Sequence, residues 1–203
     1  MRYKIKIFIN NLFFIIKSFL SRKKLHDNDS INPLLSTGGG ISIQEIYFLD
    51  CLLSLLKPKT IYKIGVAFGW STIAIGLISP NSKIIAIDNC TEGIEASEGL
   101  KITQKISEKL GINTSIIVGT SPQDIPQTLK NNVLIDFVFI DGLHTNDQVV
   151  KDFKGILPFC SSSVVIAFHD VIHWNMLSGW EEIMTIANKN GFEGSILRRT
   201  TTG

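Results

Sequence analysis

The chain has 203 residues, a net charge of +2 and 44% hydrophobic residues, so it is long enough for one domain with a full core. The small charge argues against nucleic acid as a partner, and no basic stripe with interleaved aromatic residues is present. The three cysteines, Cys51, Cys90 and Cys160, are widely spaced and odd in number. This argues against a disulfide framework or a cysteine zinc site and fits a reducing cytoplasm. We expect each to be a small buried apolar residue.

Residues 1–24 differ in composition from the rest of the chain. Their uncharged run, residues 7–16, is shorter than the roughly 20 residues that a membrane span needs. Asn10 and Asn11 interrupt the apolar core that a signal peptide requires, and no cleavage site follows. The helical spacing of apolar residues predicts an amphipathic helix that contacts a membrane surface or a partner subunit through residues 5–20. Residues 25–40 are a polar linker, and residues 41–203 form the folded domain.

From residue 41 onward the pattern alternates between helices and strands. Ser42 and Glu45 form a capping-box signature at the start of the first helix. The elements that follow are predicted as a strand at 60–65, a helix at 69–79, a strand at 83–89, a helix ending near residue 111, a strand at 114–120, a short helix at 122–131, two strands that end in Asp141 and Asp170 with a helix between them, a helix at 175–190 and a sixth strand at 192–199. This alternation predicts an α/β fold with a doubly wound, mostly parallel sheet.

Asp141 and Asp170 each end an apolar run of the kind found in strands that are buried on both faces. A right-handed crossover brings two such strands side by side, so we expect both aspartates at the carboxyl edge of the sheet, where open α/β sheets bind ligands. With His144 three residues after Asp141, the pattern suggests a divalent metal and a base. The alternative is that each aspartate caps the helix after it.

The turn after the first strand, IGVAFGWST, carries Gly65, Ala67 and Gly69. Glycines here allow close backbone approach to a ligand, and the following helix offers free N–H groups to it. Asp88 ends the next strand, where an acid accepts hydrogen bonds from ribose hydroxyls. The order of glycines departs from the dinucleotide pattern because Ala67 occupies the middle position, so a dinucleotide-dependent oxidoreductase is the weaker interpretation. Helix–strand packing alone would also explain both glycines.

From about residue 43 to the end, the chain resembles the class I S-adenosylmethionine-dependent methyltransferases, in the metal-dependent O-methyltransferase branch that includes macrolide-sugar enzymes. The segments that carry the resemblance are KIGVAFGWST, IIAIDN, VGTSPQDIPQTL, FVFIDGLH and IAFHDV. The resemblance implies a magnesium ion bound by Asp141 and Asp170, with His144 as general base. It also implies cofactor contacts from the glycine turn and from Asp88, Ser121 and Asp141.

Three features depart from that family's pattern. Lys63 replaces an acid that serves the cofactor's amino group, so we expect Lys63→Glu to strengthen cofactor binding. His169 replaces an acid next to Asp170; it either binds a softer metal, orders a water or packs in the core. The family's sheet closes with an antiparallel seventh strand, whereas this sequence stops just past the predicted sixth; either the last strand is absent or the sequence is truncated, and an exposed sheet edge would need a cover from the N-terminal helix or a partner. These departures support an alternative, a degenerate methyltransferase fold that binds a partner or a membrane without turnover.

The expected reaction is transfer of a methyl group from S-adenosylmethionine to a hydroxyl oxygen of a small-molecule or glycan acceptor. Histidine titrates near neutral pH, so His144 is suited to take the hydroxyl proton. Trp174 and Trp180 are candidates for the acceptor pocket, or they pack against helices. The expected location is the cytoplasm, with residues 5–20 open to peripheral membrane contact or to contact within a homo-oligomer.

Overall fold

The computed structural model of the protein describes residues 41–91, 94–129 and 133–197. The predicted helix at 1–24 and linker at 25–40 lie outside these residues. The helices are α1 (Ile43–Leu56), α2 (Trp70–Ile78), α3 (Ile94–Leu110), α4 (Ile125–Thr128), α5 (Asn146–Ile156) and α6 (Leu177–Lys189). The strands are β1 (Thr60–Ile64), β2 (Lys83–Asp88), β3 (Thr114–Val118), β4 (Ile135–Ile140) and β5 (Cys160–Phe168). A 3₁₀ turn, Leu157–Phe159, joins α5 to β5.

The five strands form one sheet in the order β3-β2-β1-β4-β5, and every neighbouring pair is parallel. The order reverses between β1 and β4, so their carboxyl ends flank a topological switch point, where doubly wound sheets bind ligands. The predicted α/β doubly wound sheet is therefore confirmed. All the described strands are parallel, and no antiparallel strand occurs among them.

Both faces of the central strands are buried, which is why β1 and β4 read as continuous apolar runs. One face carries the main core, where side chains from β1 and β4 pack with α5 and α6, among them Tyr62, Val138, Phe153 and Ile183. The opposite face holds a smaller cluster of Val66, Ala86 and Leu100. Because side chains alternate along a strand, Lys63 lies on the face opposite to Tyr62.

Several predicted boundaries were close, but two expectations were wrong. The segment 192–199 was predicted as a sixth strand, but residues 192–197 form no strand. Residues 198–199 lie outside the part of the chain that the structure describes. A segment forms a β-strand only where a neighbouring strand supplies its backbone hydrogen bonds. Cys51 was expected to be buried and is exposed on α1, whereas Cys90 and Cys160 are half-buried, and all three are free thiols.

Strand β5 has a neighbour on only one side within the described part of the chain. Beside it lies an open cavity of about 580 Å³ between α1, β5 and the segment 195–197, with His169 and Asp170 in its wall. The expectation that this edge needs a cover stays a prediction. Among the residues that the structure covers, no helix has the length and apolar character to cross a membrane.

Candidate active site

The parallel ladders continue past the ends of β1, β4 and β5, and this continuation sets the geometry of the site. The backbone N–H of Asp141 donates to the carbonyl of Ile64 at 2.9 Å, and that of His169 donates to Ile140 at 3.0 Å. His169, rather than Asp170, therefore lies level with Asp141 across the strand pair. Asp170 then turns away with a φ of 58°, a left-handed conformation that aspartate tolerates better than most residues.

Four side chains meet at this carboxyl edge: Asp141, His144, His169 and Asp170. Each offers one donor atom, and these atoms all lie within 4.8 Å of one another. The His144 Nε2 atom is 3.5 Å from Asp141 Oδ1 and 3.6 Å from Asp170 Oδ2. The two aspartates thus flank one small space, as the crossover argument predicted.

The alternative role of the two aspartates as helix caps is wrong. Thr145 caps α5, and its side chain accepts a hydrogen bond from the backbone N–H of Gln148 at 3.2 Å. Helix α6 begins after Met176, which makes no side-chain cap. The carboxylates of Asp141 and Asp170 therefore remain available to each other and to the histidines.

Several buried atoms in this cluster have no hydrogen-bond partner: His144 Nε2, both ring nitrogens of His169, and Asp170 Oδ1. His169 is only 8% exposed, and so is Asp170. Buried polar groups are almost always satisfied, so unpartnered donors and acceptors that converge here indicate a site built for a further group. A divalent cation fits this set, since two carboxylates and an imidazole offer ligand atoms to one point.

Lys63 lies beneath the cluster and is 1% exposed. Its ammonium donates a hydrogen bond to the carbonyl of Gly65 and lies 3.7 Å from Asp141 Oδ2. It also lies 5.5 Å from the centre of the Phe139 ring. Burial lowers the pKa of Lys63, against the attraction of Asp141 and Asp88. The lysine therefore ties the glycine turn to Asp141.

Glu45 belongs to the site and was missed as a functional residue, because the sequence indicated only its capping role. The predicted capping box is present: Glu45 Oε2 accepts from the backbone N–H of Ser42 at 2.6 Å, and Ser42 Oγ accepts from that of Glu45 at 3.3 Å. Its other oxygen, Oε1, lies 3.2 Å from His169 Nε2. No local signal predicts this contact, because more than a hundred residues separate the two side chains.

Opposite charges shift the ionisation of this cluster. Burial disfavours the charged form of Asp141, but Lys63 and the two histidines outweigh burial and hold the pKa of Asp141 below its ordinary value. Burial likewise disfavours imidazolium at His169, but the carboxylates of Asp141, Asp170 and Glu45, which lie 3.1–3.3 Å from its ring nitrogens, raise its pKa to about 12. Burial of Glu45 is offset by His169 and Ser42, which lower its pKa to about 2. These shifts favour carboxylates at Asp141 and Glu45 and an imidazolium at His169.

The glycine turn is shaped by packing. Gly65 has a φ of 85°, and a Cβ there would stand 1.9 Å from the carbonyl oxygen of Asp141. Gly69 has a φ of 78°, and its Cβ would overlap the Thr103 hydroxyl. The packing interpretation of both glycines is thus sufficient for their presence. Ala67 also has a positive φ, 47°. The start of α2 has no side-chain cap.

Asp88 organises this turn from the tip of β2. Its Oδ2 accepts hydrogen bonds from the backbone N–H groups of Val66 at 2.6 Å and Ala67 at 3.0 Å, and its Oδ1 accepts from that of Cys90 at 2.8 Å. A carboxylate can accept about four hydrogen bonds, so one acceptor position remains for a ribose hydroxyl. The ribose role stays a prediction.

Ser121 belongs to a buried polar network on the far side of β4. Its hydroxyl donates to Asp152 Oδ1 at 2.6 Å, and Gln148 Nε2 donates to the same oxygen at 2.8 Å and to the Ser121 carbonyl at 2.9 Å. Asp152 is 1% exposed, and burial raises its pKa. The contact of Ser121 with adenine stays a prediction. The hydrogen bonds that hold Ser121 to Asp152 and Gln148 were not predicted from the sequence.

The two candidate tryptophans have different environments. Trp174 is 55% exposed, and its ring stacks on that of His144 at 5.4 Å between centroids with a 16° angle between the planes. Trp180 packs edge-on against Phe168 within the core. His173 is exposed and contacts the edge of Trp174. Trp174 therefore contacts the proposed base, whereas Trp180 lines the cavity beside β5 that also contains His169 and Asp170.

A family model described as a methyltransferase domain matches residues 62–171, more than half of the chain. The chain belongs to the methyltransferase domain family. This methyltransferase-domain protein is 29% identical over 163 residues to caffeoyl-CoA O-methyltransferase 5 of Nicotiana tabacum, covering 76% of the chain and 62% of that relative. It is 30% identical over 140 residues to caffeoyl-CoA O-methyltransferase 1 of Arabidopsis thaliana, covering 66% and 51%. It thus spans about half to three-fifths of these relatives.

Solved structures share the fold of this methyltransferase-domain protein. An O-methyltransferase from Bacillus cereus in complex with SAH has a TM-score of 0.61 and 19% identity, over 75% of this chain and 72% of that one. The O-methyltransferase TomG from Streptomyces achromogenes, involved in tomaymycin synthesis and in complex with SAM, has a TM-score of 0.62 and 16% identity, over 75% and 71%. At these identities the likeness concerns the fold alone.

Proposed function

We propose that the protein transfers a methyl group from S-adenosylmethionine to a hydroxyl oxygen of a small-molecule acceptor, with a divalent cation at Asp141 and Asp170. The observation that carries this proposal is the convergence of Asp141, His144, His169 and Asp170 within 4.8 Å, directly beside the glycine turn at the switch point of the sheet. Family membership and the O-methyltransferase names of the relatives support the same reaction class.

His144 is the proposed base. Its Nε2 is buried, has no hydrogen-bond partner, and faces the space between the two carboxylates. An acceptor hydroxyl in that space would be within reach of this nitrogen, which would take the proton as the oxygen bonds to the methyl carbon and the sulfur–methyl bond breaks to release S-adenosylhomocysteine. The cation supplies Lewis acidity, which favours the deprotonated oxygen and fixes its position. Trp174 restrains the imidazole by stacking on it.

The acceptor is proposed to carry a flat ring or a sugar ring. The exposed part of Trp174, next to the base, offers an aromatic surface to such a ring. The chain turn that presents it is fixed by backbone hydrogen bonds, from Trp174 to Asp170 at 3.0 Å and from Met176 to Val171 at 2.8 Å. This turn places the acceptor surface and Asp170 on one short segment.

Two measurements test the proposal. The first is calorimetric titration of the full chain with S-adenosylhomocysteine. The second is transfer of a labelled methyl group from S-adenosylmethionine to a panel of catechol and sugar hydroxyl compounds in the presence of a divalent cation. We expect binding without an acceptor, and transfer that His144→Gln and Asp170→Asn each reduce by at least about a hundredfold.

Matched controls are available for both variants. His173→Gln changes an exposed histidine, and Asp147→Asn changes an exposed aspartate in the first turn of α5, so both should keep wild-type transfer. Absence of S-adenosylhomocysteine binding at millimolar concentration would contradict the proposal and favour the degenerate, non-catalytic fold. Full activity of Asp170→Asn would contradict the role of the carboxylate pair.

A further inference from the structure

We infer that the cation site is built for a divalent transition ion of the Fe²⁺, Co²⁺ or Zn²⁺ type in preference to Mg²⁺. In this site Nδ1 of His169 is a direct ligand beside Asp141 and Asp170. Glu45 is the residue that positions this imidazole. The inference deepens the proposed function, because it specifies the cation of the same site. It concerns this chain's own ligand set, in which a histidine stands level with Asp141.

The position of His169 supports direct ligation. Its Nδ1 lies 3.1 Å from Asp141 Oδ1 and 3.3 Å from Asp170 Oδ2, and it makes no hydrogen bond. The ring is fixed in the sheet ladder through its own backbone bond to Ile140 and lies 5.8 Å from the Phe139 ring. Packing in the core does not account for a ring nitrogen that is directed between two carboxylates.

Glu45 determines which nitrogen is available. Its Oε1 faces Nε2 of His169 at 3.2 Å, so this carboxylate is placed to accept the Nε2–H and to hold the ring with Nδ1 directed at Asp141 and Asp170. A histidine that binds a metal through one nitrogen commonly donates its other N–H to a carboxylate, which fixes the tautomer and the ring orientation. Glu45 is itself held by the Ser42 backbone N–H, so the start of α1 becomes a support for the site.

The donor chemistry then selects the ion. Mg²⁺ prefers an octahedron of hard oxygen ligands and retains water, whereas imidazole suits Fe²⁺, Zn²⁺ and similar ions. Two carboxylates and one imidazole form a mixed oxygen and nitrogen set. His144 is not needed as a ligand in this arrangement, and its Nε2 stays free for the proton transfer.

The test measures metal binding to tag-free full-length protein without cofactor or acceptor, so its failure leaves the test of methyl transfer standing. Co²⁺ and Mg²⁺ affinities are measured by calorimetry for the wild type and for His169→Asp. Transition ions bind most sites more tightly than Mg²⁺, so the deciding quantity is the change in the ratio of the two affinities. We expect His169→Asp to lower the Co²⁺ to Mg²⁺ ratio by at least about tenfold, and His173→Asp to leave it unchanged.

Proton NMR of the Co²⁺-bound protein identifies the ligand directly. A histidine bound through Nδ1 keeps its Nε2–H, which gives one strongly shifted, exchangeable signal. This signal should be absent in His169→Asp and present in His144→Gln. Glu45→Ala should weaken Co²⁺ binding by roughly tenfold, whereas Ser42→Ala removes the helix cap but leaves Glu45 facing His169 and should not.

Two results would overturn the inference. One is an unchanged affinity ratio in His169→Asp. The other is a shifted signal that persists in that variant and disappears in His144→Gln, which would make His144 the ligand. Thermal unfolding of each variant establishes that it is folded, and His169→Asn, a neutral oxygen donor, provides the same comparison if His169→Asp is not.

Discussion

The substitution Lys63→Glu reverses the charge of a buried side chain that faces Asp141. At the 3.7 Å that separates Lys63 Nζ from Asp141 Oδ2, an effective dielectric constant of ~20 gives an interaction of ~4.5 kcal/mol. A carboxylate placed there meets a repulsion of similar size. Lys63→Met is the reference, because it loses the same ammonium contacts without adding a negative charge. We expect Lys63→Glu to be less stable than Lys63→Met by about 4 kcal/mol.

Urea unfolding followed by circular dichroism measures this difference. With a slope of about 2 kcal/mol per molar urea, the midpoint of Lys63→Glu should fall roughly 2 M below that of Lys63→Met. Adding Asp141→Asn removes the repulsion and should restore most of the loss. A difference between the single variants below about 1 kcal/mol, or no rescue by Asp141→Asn, would refute the reasoning. The expected gain in cofactor affinity from Lys63→Glu is therefore measurable only if the variant still folds.

Three further substitutions test the backbone and the buried polar groups. In urea unfolding, Gly65→Ala should lower the free energy of unfolding by more than Gly111→Ala. Both glycines have a positive φ, but only the Cβ at position 65 would meet a backbone oxygen, at 1.9 Å. Equal losses of stability in the two variants would contradict this. Burial raises the pKa of Asp152, so as pH rises above the ordinary value of 3.8 the unfolded chain releases this proton first and the wild type loses stability. Asp152→Asn, whose Oδ1 can still accept both hydrogen bonds, should gain stability relative to the wild type over the same rise in pH. A difference between the two proteins that stays constant with pH would count against this argument. Burial raises the pKa of Tyr62 to about 12, so the wild type should lose stability between pH 10 and 12 in a way that Tyr62→Phe does not, and parallel curves for the two proteins would disprove the shift.

The sheet and the convergence of Asp141 and Asp170 could be predicted because each depends on information that is local in sequence. Strands buried on both faces read as apolar runs, and the crossover rule then places their carboxyl ends together. The sixth strand failed for the opposite reason. Residues 192–197 include apolar side chains that a strand could bury, but only a neighbouring strand can pair their backbone, and no such neighbour lies beside them in the described structure.

The register of the site was beyond sequence reasoning. Strand β5 spans Cys160–Phe168, and the ladder continues to His169. That register brings His169 level with Asp141, and Asp170 follows with a φ of 58° and its Oδ2 3.3 Å from His169 Nδ1. The sequence indicated the two aspartates as equivalent strand ends. In the fold, His169 takes the position level with Asp141, and its Nδ1 lies 3.1 Å from Asp141 Oδ1.

Lys63 and His169 explain how one pocket holds three carboxylates. Asp141, Asp170 and Glu45 bring three negative charges into a region that is largely closed to solvent, where unpaired charges are costly. Lys63 on one side of Asp141 and His169 on the other balance part of this charge and fix the carboxylates in place. A divalent cation that enters must displace the proton shared by His169 and its acids, because metal ligation needs the neutral imidazole. Lys63 remains next to Asp141 when the cation binds, so its attraction to Asp141 competes with the cation. A neutral residue at position 63 should therefore raise metal affinity if the fold is retained.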